Sequence, residues 1–93
     1  MRERIVERAL VTEVKKRHGL AMKLVSPGLD GVPDRLILFE NGRIGFVELK
    51  APGQKIRPLQ EKRKRQLEGL GFLVFCLDGI DQIEEVLHAI QST

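Results

Sequence analysis

The tripeptide Glu40-Asn41-Gly42 separates two segments that are apolar at most positions. One runs from Val32 to Phe39 and the other from Arg43 to Lys50, and each has apolar residues on both of its alternating faces. Strands of this kind are typical of the centre of a sheet that is covered by helices. A tight turn at Asn41-Gly42 suits antiparallel strands because Gly42 can adopt a positive φ. The sequence therefore predicts a central β-hairpin.

The segments outside the hairpin predict three helices. Apolar residues recur at helical spacing over Arg2–His18, and Gly19 follows at the place of a C-cap glycine. Pro58 is suited to begin a second helix that reaches Leu70, and Gly71 is suited to end it. A third helix has an apolar stripe, with either Asp78 or Asp81 as its cap. The stripe consists of Ile80, Ile83, Leu87 and Ile90.

Two further strands complete the predicted sheet. Leu20–Val25 is a short strand followed by a loop over residues 26–31, and Phe72–Leu77 is an unbroken apolar run typical of a buried strand. Residues 51–55 form another loop. The expected fold class is α/β, with a four-stranded mixed sheet flanked by helices. A chain of 93 residues fits a single domain over residues 1–93.

Composition excludes several classes of protein. No apolar run approaches the ~20 residues of a membrane-spanning helix. The first ten residues, MRERIVERAL, lack the apolar stretch of a signal peptide. The single cysteine, Cys76, cannot form an internal disulfide and is expected to be a core residue. These features favour a protein of the reducing cytoplasm, with no membrane partner.

Two acids and a lysine fall near the ends of the central strands. Glu48 and Lys50 are two residues apart, so their side chains project from the same face. The position of Asp34 depends on the turn. A two-residue turn places Asp34 opposite Leu49 and out of phase, whereas a three-residue turn at Glu40-Asn41-Gly42 places it opposite Glu48. We predict the three-residue turn, or a bulge with the same effect.

This trio suits phosphodiester hydrolysis. Two neighbouring carboxylates repel each other, and a divalent cation relieves the repulsion. Mg²⁺, or Mn²⁺ in its place, prefers oxygen ligands and retains several waters, so two carboxylates suffice. Lys50 can orient the attacking water and offset charge at the phosphate. The alternatives are that Asp34 is a turn residue and that Glu48 and Lys50 form a surface ion pair.

A basic segment follows the trio. Between Lys55 and Arg65 there are six basic residues and one acid, Glu61. Such a cluster favours contact with a polyanion, although a solvated helix face has the same pattern. The chain has no Trp or Tyr for stacking on single strands, which favours recognition of duplex backbone and shape. We predict DNA contacts from Lys55, Arg57, Lys62 and Arg65.

The chain resembles the VRR-Nuc (virus-type replication-repair nuclease) family of the PD-(D/E)xK nuclease superfamily. The resemblance spans nearly the whole chain and is carried by three motifs. They are Gly31-Val32-Pro33-Asp34, Phe46-Val47-Glu48-Leu49-Lys50, and Pro58-Leu59-Gln60 at the start of a helix that ends at Gly71-Phe72. The resemblance implies a restriction-endonuclease-like αβββαβ core with an added C-terminal helix.

The resemblance also implies roles for individual residues. Asp34 and Glu48 would bind the metal, together with the backbone carbonyl of Leu49. Lys50 would act on the attacking water. An acid on the first helix would reach the metal directly or through water; Glu7 matches best by its distance to Gly19, and Glu3, one turn earlier, is the alternative. Gln60 would point into the site.

Small VRR-Nuc domains resemble junction-resolving enzymes of viral or phage type, and bacterial origin is equally compatible. Because one active site cuts one strand, a symmetric four-way junction calls for a two-fold homodimer. The first helix and the strand Leu20–Val25 are candidates for its interface. The expected function is therefore cleavage of a Holliday junction by a homodimer. The alternatives are a less selective repair or flap endonuclease, and a DNA-binding module without activity.

Overall fold

The computed structural model describes residues 2–93. In this part of the chain, α-helices and β-strands follow one another in the order αβββαβα. Their bounds are α1 (Glu3–Lys16), β1 (Leu20–Lys23), β2 (Arg35–Phe39), β3 (Arg43–Leu49), α2 (Pro58–Gly69), β4 (Leu73–Leu77) and α3 (Ile83–Gln91). None of the helices among these residues has the length and apolar character that a membrane crossing requires.

The strands form one mixed sheet in the order β1-β2-β3-β4. β1 and β3 each pair with β2 in antiparallel orientation, and β4 pairs with β3 in parallel. The parallel pair requires a crossover connection, which α2 supplies. The predicted α/β fold class, with its four-stranded mixed sheet and C-terminal helix, is therefore confirmed.

The central hairpin has the three-residue turn that the sequence predicted. Glu40–Gly42 forms one short helical turn, in which Asn41 and Gly42 have φ values of 66° and 71°. The flanking strands pair Phe39 with Arg43 and continue in this register to Arg35 and Val47. One step further along the same register, Asp34 lies opposite Glu48. The turn thus brings the two acids into phase.

The core lies mainly between the sheet and the two helices α1 and α3. Fully buried side chains of α1 pack with apolar residues of the central strands and of α3. At Gly45 the approach is so close that a Cβ atom would lie 2.5 Å from Ile90. In contrast, α2 has no buried residue among its twelve. One face of the sheet is therefore packed tightly against α1 and α3, and the other face is only lightly covered by α2.

The first helix ends one residue differently from the prediction. His18, with φ of 62°, occupies the left-handed position that was assigned to Gly19. The amide groups of His18 and Gly19 donate to the carbonyls of Lys15 and Val14, which is the hydrogen-bond pattern of a Schellman motif. Gly19 is required for another reason: a Cβ there would lie 2.6 Å from the Phe39 ring. The prediction of Gly19 as the cap was wrong.

Three other expectations are corrected. Cys76 is exposed and is not a core residue, because it lies on the side of β4 opposite to Leu73, Phe75 and Leu77, which pack at the core. Neither Asp78 nor Asp81 caps α3; the helix follows a short turn, and Gln82 instead accepts the Asp78 amide at 3.0 Å. Strands β1 and β2 are shorter than predicted, since β1 ends at Lys23 and β2 begins only at Arg35.

Candidate active site

Asp34 and Glu48 lie together at the end of the sheet where β2 begins and β3 ends. The two residues lie opposite each other on the register of the hairpin, and their carboxyl groups are close enough for Asp34 to raise the pKa of Glu48. Asp34 also accepts a hydrogen bond from the backbone amide of Leu49, at 2.8 Å from Oδ2. The Leu49 side chain is buried in the core, which fixes the backbone beside Asp34. Both acids are thus held by a rigid part of the sheet.

The surroundings of Glu48 disfavour its charged form. Its side chain is only 5% exposed. Burial, the hydrogen bond to Asp34 and the negative charge of Asp34 together raise the pKa of Glu48 to about 8, from an ordinary value of 4.5. The positive charge of Lys50 acts in the opposite direction but is weaker. Glu48 therefore keeps its proton near neutral pH unless a cation takes its place.

Lys50 stands next to this pair and is itself nearly buried, at 9% exposure. Its backbone amide donates to the carbonyl of Leu77 at 2.8 Å, which continues the pairing of β3 with β4. Within residues 2–93, Lys50 takes part in none of the ion pairs. The backbone of Lys50 is therefore fixed at the site, whereas its ammonium group forms no ion pair with another of these residues.

The two candidate acids on α1 have different surroundings. Glu7 is engaged by Arg35, whose Nε donates to Glu7 Oε2 at 3.0 Å. Glu3 is the acid of α1 whose negative charge acts on Glu48 and raises its pKa. Residues 2–93 contain no group of three or more His, Cys, Asp or Glu side chains arranged to hold a metal ion. The structure thus brings together Asp34 and Glu48, while Glu7 is engaged by Arg35 and Glu3 acts on Glu48 through its charge.

A cavity of about 430 Å³ opens beside Asp34, between the loop before β2 and the first turn of α2. Gln60 and Arg57 both line it. Gln60 also has a local structural role, because its Oε1 accepts the amide of Arg57 at 2.8 Å and so caps α2. Gln60 therefore reaches the edge of the site while it holds the start of the helix.

Two contacts that sequence reasoning missed fix this loop to α2. Gly31 has φ of 80°, and a Cβ there would lie 2.8 Å from the carbonyl oxygen of Leu59. Arg63 donates from Nε to the carbonyl oxygen of Asp30 at 3.0 Å. Gly31 belongs to the Gly31-Val32-Pro33-Asp34 motif, so a glycine that permits close packing of the backbone could be recognised in the sequence. Apart from its place in the basic segment, no feature of the sequence predicted the contact of Arg63 with Asp30.

The predicted DNA contacts lie at the surface, and one of them, Arg57, lines the cavity. Lys55, Arg57, Lys62 and Arg65 are all exposed. Arg65 forms an ion pair of 3.5 Å with Glu61, a neighbour on the same helix. An exposed pair of this type is weak, so it leaves Arg65 able to contact another anion.

Comparisons with known proteins agree with this geometry. No protein-family model matches the chain. The chain is 48% identical over 90 residues to "Putative nuclease p44" of Acyrthosiphon pisum secondary endosymbiont phage 1, covering 97% of this chain and 96% of that protein. Among solved structures it is similar to one described as "VRR_NUC domain", with a TM-score of 0.86 and 28% identity. That match covers 92% of this chain and 94% of the other.

Both similarities extend over nearly the full length of all the chains involved. They therefore concern the fold as a whole and not one segment of it. The sequence-based resemblance is confirmed: the chain belongs to the VRR-Nuc family of nucleases.

Proposed function

We propose that this protein is a divalent-metal-dependent endonuclease that hydrolyses phosphodiester bonds in DNA. The observation that carries the proposal is the contact between the carboxyl groups of Asp34 and Glu48, with the nearly buried Lys50 beside them. Such an arrangement is unfavourable for a purely structural site, because burying like charges costs free energy. It is useful where a cation and a phosphate must be held together.

The donor set fits Mg²⁺ or Mn²⁺. Asp34 and Glu48 supply carboxylate oxygens, and the carbonyl of Leu49 is a further oxygen donor on the same stretch of backbone. Oxygen donors in small number suit Mg²⁺, which keeps several of its waters. Glu3 would bind one of these waters, whereas Glu7, which the resemblance favoured, would first have to leave Arg35. A bound cation supplies Lewis acidity, which polarises a phosphoryl oxygen and favours deprotonation of the attacking water.

The protein's own residues do the remaining work. Lys50 donates a hydrogen bond to the attacking water and offsets the charge that grows on the phosphate. The amide of Leu49 holds Asp34 in one orientation, so that the acid does not need to reorganise when the substrate arrives. Arg57 and Gln60, on the wall of the cavity, contact the DNA next to the scissile bond.

The substrate proposed is branched duplex DNA, with a four-way junction as the preferred form, cut by a homodimer of viral or phage type. The exposed basic residues Lys55, Arg57, Lys62 and Arg65 contact its backbone. The dimer uses the region of β1, since this edge strand and the following loop expose large apolar side chains. Leu20, Met22 and Val25 are 56%, 44% and 77% exposed.

The test is cleavage of labelled four-way junction, flap and plain duplex at one salt concentration, with Mg²⁺ and with EDTA. We expect Mg²⁺-dependent cuts at symmetric positions in the junction. Lys50→Ala should lower the cleavage rate at least ~10²-fold while DNA binding in EDTA persists, because it removes stabilisation of the transition state. Lys16→Ala, an exposed lysine at the far end of α1, is the charge-matched control.

Each contrary result would refute a different part of the proposal. Wild-type rates in Lys50→Ala would refute the role of Lys50. Equal cleavage of all three substrates would show a general repair or flap activity and would refute junction selectivity. Binding without cleavage in any metal would show a DNA-binding module. A monomer at all concentrations, by light scattering, would refute the homodimer.

A further inference from the structure

The first half of α1 carries a second cluster of basic residues, away from α2. A cavity of about 270 Å³ lies between this helix and β2. Three guanidinium groups and a single carboxylate face it, together with the hydroxyl group of a threonine. The lining residues are Arg4, Glu7, Arg8, Val11, Thr12 and Arg35.

The positive charge at this cavity is largely uncompensated. Glu7 is paired with Arg35, which also donates to the carbonyl oxygen of Ala21 at 3.1 Å. Arg4 and Arg8 are exposed and lie four residues apart, which places them on the same side of the helix. Within residues 2–93, neither takes part in an ion pair. The surface therefore offers two free guanidinium groups.

In the isolated protein this arrangement is unfavourable. Basic residues near a helix N-terminus oppose the helix dipole, and like charges four residues apart repel each other. The N-cap residue, Arg2, makes no side-chain capping hydrogen bond that would offset this effect. An anionic partner would relieve both the repulsion and the unfavourable dipole interaction.

The location points to the partner. Glu3, within one turn of Arg4, is close enough to Glu48 for its charge to raise the pKa of that acid. Arg35, which lines the cavity, also directly follows Asp34 in the chain, so the arginine surface lies near the paired acids. The basic residues of α2 lie elsewhere, since α2 packs mainly on β4 whereas α1 packs mainly on β1, at the other edge of the sheet. Basic surfaces therefore flank the site on two sides.

We propose that Arg4 and Arg8, with Arg35 at the base of the cavity, form a second phosphate-binding surface for the backbone of the DNA substrate. It contacts the DNA on the side of the cleavage site away from α2, so that a duplex arm lies on each side of the scissile bond. The inference rests on the proposed function only in taking DNA as the substrate. It assigns this half of α1 to DNA and not to a second copy of the chain.

The test measures binding without cleavage, using a fluorescein-labelled four-way junction in EDTA over a series of salt concentrations. For Arg4→Gln/Arg8→Gln we expect weaker binding and a salt slope smaller by about 1.8, because two phosphate contacts are lost. The matched control is Lys15→Gln/Lys16→Gln, which removes the same charge from the other end of α1. Its slope should stay close to that of the wild type. Thermal unfolding should show that Arg4→Gln/Arg8→Gln is no less stable.

An unchanged salt slope in the arginine variant would overturn the proposal. So would an equal loss in the lysine control, since binding would then follow net charge alone. A change of oligomeric state with an unchanged slope would assign the surface to self-association. These results are independent of cleavage: failure of the proposed function appears as an inactive wild-type protein in Mg²⁺, whereas this experiment contains no metal.

Discussion

The carboxyl group of Glu48 is held where its own charge is disfavoured. Burial and Asp34 both favour its protonated form, and Lys50 only partly compensates. A group with a pKa raised on folding stabilises the folded state fully at pH values below its unfolded pKa. This stabilisation is lost as the pH rises through the folded pKa. For Glu48 this loss of stability therefore occurs between pH 4.5 and about pH 8.

We predict that the metal-free protein loses stability across this window and that Mg²⁺ or Mn²⁺ restores it. A cation competes with the proton, so its stabilising effect should be larger at about pH 9 than at about pH 6. The measurement is the shift of Tm on adding metal at each pH, with EDTA as the reference. Glu48→Gln should abolish the metal shift and flatten the pH dependence of the metal-free protein.

The control is Glu40→Gln, which changes an exposed acid in the turn and leaves the paired acids intact. This variant should keep the wild-type metal shift at both pH values. If metal stabilises wild type and Glu48→Gln equally, Glu48 is not a ligand. If the metal shift is larger at the lower pH, the proton and the cation do not compete at this pair.

At the scale of single residues, sequence reasoning succeeded where alternation along a strand decides the geometry. Glu48 and Lys50 share a face because they are two apart, and the turn length brings Asp34 into phase with them. It could not foresee that Glu7 is engaged by Arg35, which lies 28 positions away in the chain on another element. No local pattern contains such a contact.

Among the elements, the loop before β2 and the start of α2 behave as one unit. Gly31 packs against the backbone at Leu59, and Arg63 holds the carbonyl of Asp30. Asp34 follows three residues after Gly31, on the wall of the same cavity. The position of α2 therefore contributes to the position of a proposed metal ligand.

We predict that Gly31→Ala lowers cleavage and metal affinity more than Gly28→Ala does. Both glycines have a positive φ, so either substitution strains the backbone by about 1–2 kcal/mol. Only at Gly31 would the added Cβ also collide with Leu59, whereas the space around Gly28 is open. That collision should push the loop away from α2 and displace Asp34. Denaturant unfolding and cleavage of the junction, measured on both variants, separate strain from displacement.

Gly28→Ala is thus the matched control for backbone strain. Equal activity in the two variants would show that the packing of Gly31 on Leu59 does not position Asp34. Equal loss of activity, in proportion to equal loss of stability, would lead to the same conclusion.

The elements themselves were predicted best where local chemistry dominates. The three-residue turn, the start of α2 at Pro58 and the positive-φ glycine after its end, Gly71, each depend on residues adjacent in the chain. The errors arise where distant packing decides. Gly19 is required by Phe39 from β2, and the exposure of Cys76 follows from the light cover that α2 gives to its side of the sheet.

For the whole molecule, the uneven distribution of the core has a dynamic consequence. α1 contributes three fully buried side chains, and α3 contributes four buried ones. α2 contributes none, although it carries two of the four predicted DNA contacts, Lys62 and Arg65, and the capping residue Gln60. Because little apolar surface is lost when α2 detaches, the cost of opening it should be well below that of global unfolding.

We predict that backbone amides in the middle of α2 exchange with solvent through local opening, at a lower free energy than those of α1 and α3. Native-state hydrogen exchange, followed by mass spectrometry or NMR, measures this directly. Junction DNA in EDTA should slow exchange in α2, because phosphate contacts from Lys62 and Arg65 stabilise the closed helix. α3 is the internal control, since it lies in the core and no DNA contact is proposed for it. Equal protection of α2 and α3 without DNA would show that α2 belongs to the globally cooperative unit, and unchanged exchange in α2 on adding DNA would exclude this helix from the binding surface.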